Sequence, residues 1–233
     1  MKIPVLTLDG PGGSGKGTVG QRVAARLGWH FLDSGALYRA LALAVLHRGG
    51  RADEEEIVRL AENLDVRFEP QSDGSPARVW LGGQDVGDEL RGQDCARMAS
   101  QVAALAAIRE ALLHKQHAFC IPPGLVADGR DMGTTVFPGA VLKIFLTASL
   151  EVRAARRYKQ LKEKGLDVNL DRLFGEIRER DARDAGREVS PLRRADAAET
   201  LDTSGMTIDE VVEVVLGRLR QRLAAGGKGA TRP

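Results

Sequence analysis

Nine residues into the chain, the run Gly10-Pro11-Gly12-Gly13-Ser14-Gly15-Lys16-Gly17-Thr18 sets one lysine and one threonine among glycines. Residue types in that order suit the binding of phosphate. Glycines let backbone N–H groups close on an anion because no Cβ blocks the approach. A helix that starts near the lysine adds the positive end of its dipole. Lys16 can neutralise the outer phosphates of a nucleoside triphosphate, and the Thr18 hydroxyl can reach Mg2+ or its water shell. The common phosphate loop reads G-x-x-x-x-G-K-[ST]. In this chain Gly17 stands between the lysine and the hydroxyl.

Three further clusters mix arginine with acid and suit a second anion beside the first: DSGALYR (33–39), DGRDMGT (128–134) and RERDARDAGR (178–187). Arg39 offers a fixed guanidinium fork, which fits a terminal phosphate better than a lysine does; a surface salt bridge is its plainer reading. Arg130 and Asp131 follow an apolar strand at its carboxyl end, where open α/β sheets place ligands. Asp128 closes that strand, either as a carboxylate steadying the water shell of Mg2+ or as a cap of the turn. Arg180, Asp184 and Arg187 fall at i, i+4 and i+7 and so share one face of an expected helix. A solvated, self-paired surface is the ordinary reading of such a run. The apolar stripe Leu170, Leu173, Phe174 and Ile177 stops just before it. His114 and His117 have a spacing that can ligate a metal, but no third ligand accompanies them. A guanine-reading N-K-x-D element is absent, since Asn63 and Asn169 sit in NLDV and NLDR.

The elements that must hold these residues are legible around them. IPVLTL (3–8) reads as a buried strand, and Val19, Val23, Ala24 and Leu27 mark one face of a helix stopped by Gly28. WHFLDSG is a second strand, followed by helices over ALYRALALAVLHRGG and 53–64. From residue 65 the pattern changes: DVRFEP, ARVWLGG and QDVGDEL alternate apolar with polar around QSDGSP, as in short antiparallel strands joined by turns. RMASQVAALAAIREALLHKQHAF returns to helix, broken by PPG. LVADG (125–129) and AVLKIFLTAS (140–149) are further buried strands. Two charged helices flank LDVN, and a strand in ETLDTSG precedes a last helix, TIDEVVEVVLGRLRQRL. Alternating strands and helices argue for a parallel sheet covered by helices.

Composition agrees with a globular chain. Its 233 residues are 43% hydrophobic and 28% charged. Net charge is +2 and aromatics only 4%, which offers little to nucleic acid. No apolar run approaches the roughly 18 residues of a membrane span. Cys95 and Cys120 form no C-x-x-C and are expected as free thiols in a reducing cytosol. The tail AAGGKGATRP is expected to be disordered.

Taken together, GPGGSGKGT resembles the G-x-x-G-x-G-K-G-T loop of nucleoside monophosphate kinases, where the extra glycine is the rule. LDSGALYR resembles their acceptor-binding segment. GLVADGRDMGTTVFP and IRERDARDAGREVSPL, with the β insertion at 65–90, closely resemble the bacterial cytidylate kinases, over about residues 3–220. That resemblance implies a P-loop kinase core: an α/β fold with a five-stranded parallel sheet flanked by helices. It also implies a single domain over 1–225, with an acceptor-binding insertion at about 36–115 and a short lid at about 152–170, before a tail at 226–233. It further implies transfer of phosphate from ATP to CMP or dCMP with Mg2+. By motif match, Ser34, Arg39, Ser100, Arg109, Arg130, Asp131, Arg180, Asp184 and Arg187 would line the acceptor site. Asp131 suits the cytosine 4-amino group, since a carboxylate accepts where that group donates and where uracil presents an acceptor. Ser100 alone reads as an ordinary helix hydroxyl. Asp184 and Arg180 pair naturally for sugar hydroxyls. Arg153, Arg156 and Arg157 lead into the lid; Arg157 is taken with Lys16, Arg130 and Arg187 as the catalytic set, although sequence does not rank the three. A cytoplasmic monomer acting on small molecules, with no nucleic acid or membrane partner, completes the expectation. The rival readings are a P-loop kinase for UMP, AMP or a non-nucleotide acceptor, and a nucleotide-binding regulatory protein without phosphotransfer.

Overall fold

A computed structural model describes residues 3–69, 77–163, 165 and 167–228. In chain order the elements are β1 (Val5–Asp9), α1 (Lys16–Leu27), β2 (His30–Asp33), α2 (Ser34–His47), α3 (Glu54–Glu62), β3 (Val66–Glu69), β4 (Arg78–Leu81) and β5 (Gln84–Asp85). There follow a 3-10 turn (Glu89–Arg91), α4 (Gln93–Val102), α5 (Ala106–Ala118), β6 (Leu125–Gly129), a π-type turn (Met132–Val136), β7 (Leu142–Thr147), α6 (Leu150–Glu163), α7 (Leu170–Ala185), β8 (Glu199–Asp202) and α8 (Ile208–Lys228).

Five strands form one sheet in the order β2-β6-β1-β7-β8, and every neighbouring pair is parallel. Every residue of β1 and β6 is buried, as strands covered on both faces require. One face packs Leu6, Leu8, Val126, Ile144 and Leu146 against Val19 and Val23 of α1 and Val211, Val212, Val215, Leu216 and Leu219 of α8. The other face gathers Val5, Leu32, Leu125 and Ala127 around Met132, Val136 and Phe137. The register sets Asp9 opposite Gly129 and Asp33 opposite Asp128, so the carboxyl ends of β1, β2 and β6 lie side by side. Parallel topology thereby brings the loops of three separate sequence segments to one edge.

A third apolar cluster accompanies these two. Helices α2, α3, α4 and α5 bury Leu37, Leu41, Ile57, Val102, Ile108 and Leu112 together, with Val79 of the small sheet and Val86 just after it. That sheet is antiparallel in the order β3-β4-β5. The turn expected at QSDGSP lies outside the described residues. QDVGDEL contributes only Gln84–Asp85 to the sheet, and the 3-10 turn follows at once.

Two helix boundaries depart from the sequence pattern. The alanine-rich stretch expected as one helix is two, because the chain turns at Ala103–Leu105, where Leu105 is extended. No breaker residue marks the corner. Tertiary contacts override local propensity there: Arg109 donates to the Ala103 carbonyl at 3.2 Å, and Ile108 and Leu112 fold back onto Val102. At the other end α8 runs to Lys228, past the glycines expected to open a disordered tail; 229–233 lie outside the described residues.

Candidate active site

The glycine-rich run forms the turn between β1 and α1, and its glycines have identifiable causes. Gly10, at φ 151°, passes so close to β7 that a Cβ would stand 2.1 Å from the Leu146 carbonyl oxygen. Gly15 caps α1 in the left-handed region at φ 91°. Gly17, the inserted residue, lies in the first turn of α1, where a Cβ would press within 3.2 Å of the Asp128 carboxylate. The extra glycine leaves room in front of an acid.

Lys16 is buried beneath this loop. Its ammonium donates to the Pro11 carbonyl at 3.3 Å and lies 3.9 Å from Asp128 Oδ1. Burial pushes the Lys16 pKa down and the Asp128 pKa up. Arg130 lowers Lys16 further, while Lys16 and Asp128 each counter the other's shift. An arriving phosphate supplies the counter-charge that burial withholds. Asp128 Oδ1 has no hydrogen-bond partner among the described residues, and neither has the buried Ser14 hydroxyl. A carboxylate with one oxygen free of hydrogen bonds and cleared space before the other fits a hydrated Mg2+. No group of three or more His, Cys, Asp or Glu suited to a metal occurs among the described residues, so phosphate and water oxygens would supply most of its shell.

The second half of the site is an arginine cage. Asp184 of α7 is 2% exposed; its Oδ2 accepts from Arg130 Nε at 2.8 Å and its Oδ1 from Arg187 at 2.7 Å. Arg180 stands off at 4.0 Å with its side chain half exposed. The pairing of Asp184 with Arg180 expected from sequence is therefore looser than those with Arg130 and Arg187. Burial alone would raise the Asp184 pKa, but Arg130, Arg187 and Arg180 together hold it below the usual carboxylate value. Arg187 reaches this point from beyond the helix, not from its face, because Gly186 ends α7. The cage abuts the phosphate loop: a Cβ on Gly12 would be 3.6 Å from the Arg130 guanidinium and 3.8 Å from that of Arg180.

Beside the cage, Asp131 is buried and paired with Arg109 of α5. Arg109 is fixed in turn by the Ala103 carbonyl and by the Tyr38 ring, whose centroid lies 5.5 Å from the guanidinium. One helical face below, Gln116 accepts from the Ser34 hydroxyl at 2.9 Å, both residues being buried. Arg39 of α2 is half-buried and donates to the Gly35 carbonyl at 3.2 Å. Ser100 lies half-buried on α4 and hydrogen-bonds none of these residues; Thr18 sits partly buried in the first turn of α1.

The three α6 arginines separate cleanly. Arg153 donates to the carbonyls of Gly12 at 3.2 Å and Ala148 at 3.1 Å, and pairs with Asp181 at 2.6 Å. Arg156 donates to the carbonyls of Ser14 at 3.4 Å and Thr203 at 2.7 Å. Thr203 itself donates to the Ser14 carbonyl at 3.0 Å. Arg157 is exposed and has no hydrogen bond or ion pair among the described residues. Desolvation, and after it the charge of Arg39, lowers its pKa. His117 hydrogen-bonds the Val136 carbonyl at 2.7 Å and packs on Phe137, which gives that histidine a structural place.

Sequence reasoning passed over Asp9, Tyr38, Gln116 and Thr203. Asp9, at the end of β1, accepts the Met132 and Gly133 amides at 2.8 and 2.7 Å. Only Asp9 carried a local signal, an acid at the end of an otherwise apolar strand.

With this geometry in place, the relatives are informative. The family model described as cytidylate kinase matches residues 6–221. A cytidylate kinase of Shewanella denitrificans is 54% identical over 96% of this chain and 99% of its own length. Another, from a Shewanella species, is 53% identical over 96% and 98%. Among solved structures, a gluconokinase from Sinorhizobium meliloti is similar in fold, with a TM-score of 0.50 at 15% identity over 98% of both chains. The chain belongs to the cytidylate kinase family.

Proposed function

We propose that this chain moves the γ-phosphoryl group of ATP onto CMP or dCMP, giving ADP and CDP or dCDP. The observation that carries the reading is the contact at Gly12, where a phosphate loop meets a cage of arginines holding one carboxylate among them. Two anion sites so close suit donor and acceptor phosphates in line.

The loop amides and Lys16 hold the β- and γ-phosphates of ATP. Thr18 and Asp128, through water, would hold Mg2+, which neutralises developing charge when bound. Arg39, Arg130 and Arg187 hold the acceptor phosphate, and Arg180 with Asp184 meets the sugar. A monophosphate is largely dianionic at neutral pH, its second pKa being about 6. Its oxygen therefore needs no general base, and catalysis is positioning plus charge neutralisation. Arg157 is the α6 arginine left to reach the transferring group, since Arg153 and Arg156 brace the loop. Closure of a lid over about 152–170, against an acceptor-binding unit at about 36–115, excludes water as a competing acceptor.

Base choice rests on the Arg109–Asp131 pair. Side by side, a guanidinium donor and a carboxylate acceptor complement the N3 acceptor and 4-amino donor of cytosine. Uracil reverses both, and a buried mismatch of that kind discriminates strongly. Among the described residues no helix is long and apolar enough to cross a membrane. The working unit is a cytoplasmic monomer acting on small molecules. A coupled ADP assay with ATP and a panel of CMP, dCMP, UMP and AMP tests the reading. Fast turnover is expected with the cytidine nucleotides alone. Equal rates with UMP would overturn the cytosine assignment, and ATP binding without ADP production on any monophosphate would overturn the kinase.

A further inference from the structure

Asp9 takes no part in the chemistry above, yet both its carboxylate oxygens are committed. The residue ends β1, immediately before Gly10, and is 4% exposed. Oδ1 accepts the Met132 amide at 2.8 Å and Oδ2 the Gly133 amide at 2.7 Å. Those two amides open the π-type turn, directly after Arg130 and Asp131. From the far side of the turn, the amides of Thr135 and Val136 return to the Asp131 carbonyl at 2.9 and 3.1 Å. The backbone of Asp131 is thus gripped before and behind.

The approach is close enough to dictate Gly133. A Cβ there would lie 2.9 Å from Thr7 Oγ1 and 3.2 Å from Asp9 Oδ2. π-type turns interrupt regular hydrogen bonding and need outside support, which a carboxylate facing two successive amides supplies. Burial raises the Asp9 pKa more than the two amide bonds lower it, leaving it at about 6, so the acid is retained against its own desolvation. A carboxylate kept in that setting has a directional task.

We infer that Asp9 is a positioning residue for base discrimination: it fixes the Asp131 backbone against the start of the phosphate loop while touching neither nucleotide. The inference rests on reading Asp131 as the acceptor for cytosine. An asparagine at position 9 keeps one accepting oxygen but turns an NH2 group toward the other amide. An alanine at 133 pushes the turn off the carboxylate from the opposite side. Both changes misplace Asp131 while leaving the loop glycines in place.

The test measures initial rates of the full-length chain and of Asp9→Asn, Gly133→Ala and the double variant, with CMP and UMP as acceptors and ATP varied. Each single variant should lose about tenfold or more in kcat/KM for CMP and much less for UMP, because only cytosine exploits the aimed carboxylate. KM for ATP should stay within about twofold. The double variant should be little worse than the poorer single one, since both break one contact. A preference for CMP over UMP that survives in the variants, or KM for ATP rising in step with KM for CMP, overturns the inference. If Asp9→Asn does not fold, Gly133→Ala alone decides by the same ratio. An unmodified chain that does not distinguish CMP from UMP refutes the cytosine reading itself, a result separable from retained preference in the variants.

Discussion

The two anion sites proposed for this molecule are built from opposite materials. The phosphate loop is backbone: its donors are amides, its shape comes from glycines, and Lys16 is buried beneath it. The acceptor cage is side chain: Arg130, Arg180 and Arg187 stand around Asp184, with Arg39 and Arg157 near by. Backbone amides keep their place by covalent geometry and need no partner to stay aimed. Long cationic side chains repel one another and carry rotamer freedom, so they need a carboxylate to hold them when no phosphate is present. The loop relies on glycine where it passes closest to its neighbours, while the cage depends on one acid.

Lys16→Met tests the division most severely. We expect kcat to fall about a thousandfold or more, because charge neutralisation on the transferring phosphate is lost. CMP affinity measured by calorimetry should stay within about threefold. Loss of CMP binding in that variant would show that the two sites are not separable.

Arg157→Ala comes next, with a fall of about a hundredfold in kcat and small changes in either KM, the mark of a contact made only in the transition state. A comparable kcat effect from Arg156→Ala, without loss of melting temperature, would contradict the separation of bracing from reacting arginines.

Asp184→Asn should raise KM for CMP by about 30-fold and leave KM for ATP nearly unchanged, since Arg130 and Arg187 lose their anchor. Its pH signature has a definite sign. The Asp184 pKa is lowered on folding, so its stabilisation is present above the unfolded value, about 3.9, and is lost as pH falls through the lower folded value. Urea unfolding across that acid range should show a steeper loss of stability for the unmodified chain than for Asp184→Asn.

The smallest expected effect belongs to Gly17→Ala. Its Cβ would stand 3.2 Å from Asp128 Oδ2, so half-saturation by Mg2+ should rise a few-fold while ATP affinity holds. An unchanged Mg2+ titration would mean that the inserted glycine does not serve to clear space before Asp128.

Much of this was legible in sequence because the informative residues are neighbours in the chain. Residues 10–18 declare their chemistry locally, and the apolar runs of β1, β6 and β7 announce strands buried between helices. The α4–α5 corner was hidden because alanine-rich sequence favours helix wherever nothing else intervenes, and what intervenes is Arg109 reaching the Ala103 carbonyl and Asp131. Asp9 was hidden for a related reason: its partners lie 123 and 124 positions away. Gln116 and Tyr38 read as ordinary members of amphipathic helices, and only the fold shows what faces them. The α6 arginines could not be ranked, since what sets Arg153 and Arg156 apart from Arg157 is the distant carbonyls and the Asp181 carboxylate they meet.

The bracing of the phosphate loop also bears on how the protein is made. Residues 10–18 leave the ribosome well before residues 153–203, yet carbonyls among them are held by Arg153, Arg156 and Thr203, and β1 lies between β6 and β7. A nascent chain halted before Thr203 carries every residue of the nucleotide-binding motif but not the scaffold that shapes it. A loop shaped to hold a nucleotide therefore waits for β8 and Thr203 to join the sheet.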